Sequence, residues 1–325
     1  MLWATRAALA TLAILAVSRH GVAQSSCLYI DAHGLISQVR SLSQVPSEYR
    51  ARAVCKEIPP DEIADPQDLK LGSDSRSATF GTELGPVTLR WTRPIERCFT
   101  SPPSRAVGEA IKAVNRVVKS GRFTADVKRA RRDWSLAFTD KVTAFAQFPV
   151  ALTVGRHPGF MIPPSQIYII TDFISPDCAD SKVADELLAQ VLLHEMGHVI
   201  EYLLLGESQT LHDRERSEGF ATWFEQYASD YSSVIPKDSV KRYYGELARE
   251  SLRIGSGAFQ GTPQDYARAA LPFQAVVKKK GLATLMDVYK RIRDERLSWT
   301  EAIMRATGWS RVTLERETRA AVTTD

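Results

Sequence analysis

Two histidines four residues apart, His194 and His198, stand with Glu195 between them in the run QVLLHEMGHVIEYLLL. Imidazole is a nitrogen donor for divalent metals, and a carboxylate beside it can bind a cation or move a proton. On a helix, residues four apart leave the same face with side chains roughly 6 Å apart, a gap one ion can bridge. Glu195 is turned off that line, so it cannot bind the same ion in the same way but can reach a water on it. The plainer alternative is a pair of core histidines. Buried imidazoles and a buried acid each need a polar partner, and the flanking VLL and VIEYLLL supply none. One cation held by both rings meets that demand, and zinc is the ion this pattern points to.

A hydrolytic zinc ion takes a third protein ligand and keeps one position open. The metzincin spacing would place Gly at 201 and His at 204, where this chain has Glu201 and Leu204, so that class is excluded. Downstream, His212, Asp213, Glu215 and Glu218 are all side chains able to ligate zinc. Glu218 opens RSEGFATWFEQYAS, which predicts a helix with Phe220, Trp223, Phe224 and Tyr227 inward and Glu218, Thr222 and Glu225 on another face.

HEMGH followed by SEGFATWFE resembles the gluzincin zinc metallopeptidases, the clan of thermolysin and aminopeptidase N. The resemblance implies an α+β, zincin-like catalytic domain: a small edge-stranded sheet, the HExxH helix and a mainly helical C-terminal part. It implies one Zn2+ per chain held by His194, His198 and Glu218, with Glu195 as general base. GFMIPPSQIYII is similar to the clan's edge strand, against which an extended peptide or protein substrate pairs. DYARAALPFQAVVKKKG and the residues beyond it look like the helical tail of peptidase MA-like members, in which a tyrosine faces the metal; the matching residue is Tyr266. The similarity spans about residues 159 to 318. One departure bears on activity. Aminopeptidases of the clan carry an acid in the loop that here reads Gly-Phe-Met-Ile-Pro, so endopeptidase action is the better expectation.

These residues need a frame to hold them, and 325 residues, 44% hydrophobic and 25% charged, are enough for a folded core. The start, MLWATRAALATLAILAVSRHGVAQ, has a basic residue, a short apolar core and small residues, and predicts a secretory signal over residues 1–23. The expected location is exported, periplasmic or secreted. No later stretch reaches the roughly 20 apolar residues of a spanning helix, so no stable membrane insertion is expected after cleavage. Removing the signal leaves 40 basic against 38 acidic residues, a near-neutral balance that argues against a nucleic-acid partner. Four cysteines in an exported chain predict two disulfides; spacing does not fix which of the three connectivities is used, and Cys27 with Cys55 and Cys98 with Cys178 is the pairing we favour.

Residues 24–86 are expected to be an N-terminal extension and linker, partly helical over 27–58 and then rich in Pro, Asp, Ser and Gly. The catalytic domain is expected to fill 87–325. It begins with a strand from Val87, broken or put at an edge by Pro94. A helix capped by Ser104 follows, then a helix carrying the KRARR cluster, Lys128 to Arg132, as a solvated face. Lys141 to Val154 should hold two short strands, GRHPGFMIPPS a loop and SQIYIITDF a strand. The apolar helix should run from about Lys182 to Leu205, and beyond Arg216 the pattern is helical. A different class also fits the ligands: an exported binding or scaffold protein with a structural zinc.

Overall fold

The computed structural model describes residues 24–30, 36–39, 42–45, 47, 50, 54–58, 75–120, 133–139, 159–162, 165–171, 184–206, 213–254 and 257–322. The signal segment, the KRARR cluster, the strands expected over Lys141 to Val154, Cys178 and His212 lie outside them. The chain forms two units, Met1–Ala64 and Asp65–Asp325.

Among its described residues the first unit is mostly β, with one short 3-10 turn, Leu42–Gln44, where its sequence suggests partial helix. Strands β1 (Gln24–Ile30), β2 (Ile36–Val39) and β3 (Val54–Ile58) form an antiparallel sheet in the order β2-β1-β3. The β-formers in CLYI, ISQV and VCKEI outweigh the serines and arginines between them. Cys27 stands directly opposite Cys55 in the β1/β3 register.

The second unit is α+β. A five-stranded sheet has the order β4-β5-β6-β8-β7. β4 (Ser75–Thr82) and β5 (Gly85–Thr92) form a hairpin, β6 (Trp134–Thr139) is parallel to β5 and to β8 (Gln166–Ile170), and β7 (Gly159–Ile162) pairs antiparallel with β8. β4 corrects the expected start of this domain at residue 87. Its sequence, SRSATFGT, looks like a linker because it is an edge strand whose residues are mostly exposed. β5 alternates, with Val87, Leu89 and Trp91 buried; it lies between β4 and β6, so Pro94 breaks the strand into a helical turn, Arg93–Glu96, rather than marking an edge. β8 is buried along its whole length. β6 is the strand the sequence does not announce: WSLAFT is short and directly follows the basic cluster.

Helix α1 (Pro103–Lys119) crosses between β5 and β6. Ser104 does not cap it. Pro103 is already helical, a residue pre-set for the first turn, and Pro102 is the cap without a side-chain bond. The remaining helices are α2 (Asp185–Leu205), α3 (Arg214–Ser229), α4 (Ser239–Ile254), α5 (Pro263–Lys280), α6 (Leu282–Glu295), α7 (Trp299–Thr307) and α8 (Arg311–Ala320). One apolar cluster joins sheet and helices, from Leu89, Val114 and Ile169 through Leu192 and Val199 to Phe220, Phe273 and Tyr289.

Two close helix contacts set the spacing inside that cluster. A Cβ on Gly197 of α2 would lie 2.8 Å from the Ala221 Cα of α3. One on Gly219 of α3 would lie 2.3 Å from the Ala269 carbonyl oxygen of α5. No side chain fits at either place, so the three backbones approach more closely than a bulkier pair would allow.

Candidate metal centre

α2 is apolar nearly all round, so the few polar groups on it stand out. His194, Glu195, His198 and Glu201 interrupt a run of buried leucines, valine and isoleucine. The Gly197 contact brings α3 against the face that bears both imidazoles. Glu218, one turn into α3, meets them there: its Oε2 lies 3.3 Å from His194 Nε2 and 3.3 Å from His198 Nε2. The two rings are 5.0 Å apart, centre to centre. Each of the three residues offers a donor atom within 4.8 Å of the others, so His194, His198 and Glu218 form a group that could hold a metal ion.

The competitors for the third position are placed otherwise. Asp213 caps α3, its Oδ1 accepting the Arg216 backbone N–H at 2.9 Å, and Glu215 is exposed on the helix surface. His212 lies outside the described residues.

The outer ring nitrogens are held as well. His198 Nδ1 is 3.0 Å from Ser217 Oγ and His194 Nδ1 is 3.4 Å from Glu225 Oε2. In the tautomer that leaves each Nε2 lone pair for a metal, Nδ1–H is the donor in both contacts, which fixes ring orientation. Tyr244 of α4 donates its hydroxyl to the same Glu225 oxygen at 3.0 Å, extending the chain to a third helix.

The cluster's electrostatics are those of a crowded acid–base site. Burial opposes charge on His194, yet hydrogen bonds to Glu218 and Glu225 and the nearby Glu195 raise its pKa to about 10 without a metal. Burial would raise Glu218 too, but His198 and His194 hold it well below the usual carboxylate range. Burial raises Glu195, against the pull of His198 and His194. Among the described residues its Oε2 is buried without a hydrogen-bond partner. Its other oxygen faces the edge strand, where a Cβ on Gly159 would come within 2.7 Å of Oε1. A side chain at 159 would therefore displace the acid.

Tyr266, on the first turn of α5, is brought to His194 by the Gly219 contact, with 5.9 Å between ring centres. Burial raises its pKa, with Glu218 adding to the effect, so the phenol keeps its proton. Arg214, whose charge opposes that rise, lies 3.8 Å from Glu218 Oε1.

The structure thus brings together His194, Glu195, His198, Glu218 and Tyr266. It adds Gly159, Ser217, Arg214 and Tyr244. Arg214 precedes Glu218 by one helical turn and was within reach of a spacing argument; Tyr244, on a separate helix, was not. No family model matches the chain, and no curated protein matches it.

Proposed function

We propose that the chain is an exported zinc-dependent peptidase of the gluzincin type, with a zincin-like catalytic domain, acting as an endopeptidase on peptide or protein substrates. The observation that carries this is the grouping of His194, His198 and Glu218 around a common point, beside a buried acid with an unpartnered oxygen. Two imidazoles and one carboxylate suit zinc, and the three donors found among the described residues are one fewer than its usual four, the number found at catalytic rather than structural sites. That count, with Glu195 poised nearby, favours an enzyme over a scaffold.

Zinc bound there supplies Lewis acidity, which brings the ionisation of water from near 16 towards about 7. Glu195 takes the attacking water's proton and gives it to the departing amine; burial raises its pKa, which helps it hold the proton between the two transfers. The Tyr266 hydroxyl donates to the carbonyl oxygen as negative charge builds on it. Glu225 and Ser217 keep the two imidazoles turned inward. Among the described residues β7 is paired on one side only, by β8, and its other edge suits an extended substrate added as a further strand, which Gly159 brings alongside Glu195.

The test is metal analysis of the purified mature protein beside two variants, together with turnover of a peptide library with and without chelator. Wild type should carry one zinc and lose turnover on chelation. Glu195→Gln should keep the metal while hydrolysis falls by several powers of ten. Glu218→Ala should lose the metal. Persistent hydrolysis by Glu195→Gln would remove the glutamate from its role, and wild-type zinc retention by Glu218→Ala would remove the third ligand.

A further inference from the structure

Arg214 is a cation at the centre for which the chemistry above has no task. Its side chain is 55% exposed, yet it is held on several sides. Its Cζ lies 5.6 Å from the centre of the Phe259 ring, and that ring packs edge-on against Tyr266 at 5.6 Å. Gly261 lies so close that a Cβ there would come within 2.9 Å of Nη2. The loop before α5 therefore clamps the guanidinium between α3 and α5.

The clamp gives it two neighbours of consequence. Arg214 Nε stands 3.8 Å from Glu218 Oε1, while Glu218 Oε2 is the oxygen that faces both imidazoles. The carboxylate is divided, one oxygen for the cation and one for the metal position. The guanidinium's charge also bears on Tyr266, whose ring packs against the Phe259 ring that faces Arg214. A guanidinium has no acceptor, so it favours a phenol that turns its oxygen towards it and its proton away.

We infer that Arg214 is a positioning residue: it keeps Glu218 donating through a single oxygen and sets the direction of the Tyr266 hydroxyl proton. One side chain then links the third metal donor to the group that meets the substrate oxygen. The role rests on the zinc-peptidase proposal, and the test separates the two. An ordinary exposed ion pair would contribute little and leave the metal's surroundings unchanged.

The probes are Zn2+ and Co2+ alone, titrated into the full mature chain, followed by peptide turnover of the zinc-loaded protein. Arg214→Gln should weaken zinc binding about tenfold or more and shift the visible absorption of the cobalt form, as a carboxylate changes from one donor oxygen towards two. Arg214→Lys keeps the charge without the fork, so zinc affinity should recover to within a few fold while kcat stays low and KM changes little. Phe259→Leu removes the clamp but not the charge and should lower kcat in the same direction, with an unchanged far-ultraviolet circular dichroism spectrum. If wild type binds zinc and Arg214→Gln matches it in affinity and cobalt spectrum, Arg214 has no such role and the peptidase proposal stands. Should Arg214→Gln fail to fold, wild-type kcat in Phe259→Leu overturns the role on its own. If wild type takes up no zinc, both fall.

Discussion

The Gly197 contact permits a prediction in which two effects of known size oppose each other. Replacing Gly197 by Ala removes a helix-interior glycine, which by propensity alone stabilises by about 1 kcal/mol. The new methyl, however, would lie 2.8 Å from the Ala221 Cα and 3.3 Å from its carbonyl oxygen, both backbone atoms of the neighbouring helix. Ordinary carbon contacts are about 3.5–4.0 Å, so α2 and α3 must part by about 0.7–1.2 Å. Forced overpacking of this kind costs about 1–3 kcal/mol, leaving a net loss of about 0–2 kcal/mol. The larger effect falls on the metal site. Glu218 is on the same turn of α3 as Ala221, and metal donors tolerate displacements of only about 0.2 Å. Zinc affinity should fall about tenfold or more, read by competition with a chromophoric chelator, while urea unfolding shows a loss of no more than about 2 kcal/mol. Gly108→Ala on α1 is the control: its methyl would meet Phe80 at an ordinary 3.6 Å, so stability should hold or rise and zinc affinity should not change. Wild-type zinc affinity in Gly197→Ala, with a raised urea midpoint, would refute the claim that this contact sets the ligand spacing.

Other outcomes are expected at the neighbouring groups. Glu201 accepts from Arg216 Nε at 2.9 Å and from the Tyr289 hydroxyl at 2.9 Å, all buried. Arg216→Met should therefore cost about 3–5 kcal/mol in urea unfolding by stranding a buried carboxylate, and the double variant with Glu201→Leu should recover most of it. In the metal-free chain the His194 pKa is raised, so the stability from its protonated form is fully present below about 6.5 and is lost as pH rises through about 10. Zinc uptake at pH 8 should displace that proton, and calorimetry in two buffers of different ionisation enthalpy should find about one released; none would contradict the site's charge state. Tyr266→Phe should lower kcat far more than it changes KM while leaving zinc affinity alone, and a change in KM only would remove its role at the substrate oxygen.

What the sequence revealed and what it concealed divide along physical lines. His194, His198 and Glu195 were legible because helical spacing is rigid and because polar groups in an apolar helix demand an explanation. Glu218 and Tyr266 needed the resemblance, since nothing local says how three helices cross; Gly197 and Gly219 decide that, and a glycine's spacing role is silent until its neighbour is known. β4 was hidden because an exposed edge strand has the composition of a linker. The small sheet of the first unit was hidden because its runs of β-formers are only a few residues long. Tyr244 comes from a separate helix, and no periodicity within α3 points to it.

Glu195 has a consequence beyond its chemistry. A carboxylate oxygen buried without a partner is a standing cost of about 1–3 kcal/mol, tolerated in the middle of an otherwise oily helix. An aliphatic replacement such as methionine should make the protein harder to melt and useless as a catalyst. Robustness and work are at odds at that one position, and heat tolerance gained there would mark the place where selection has favoured work.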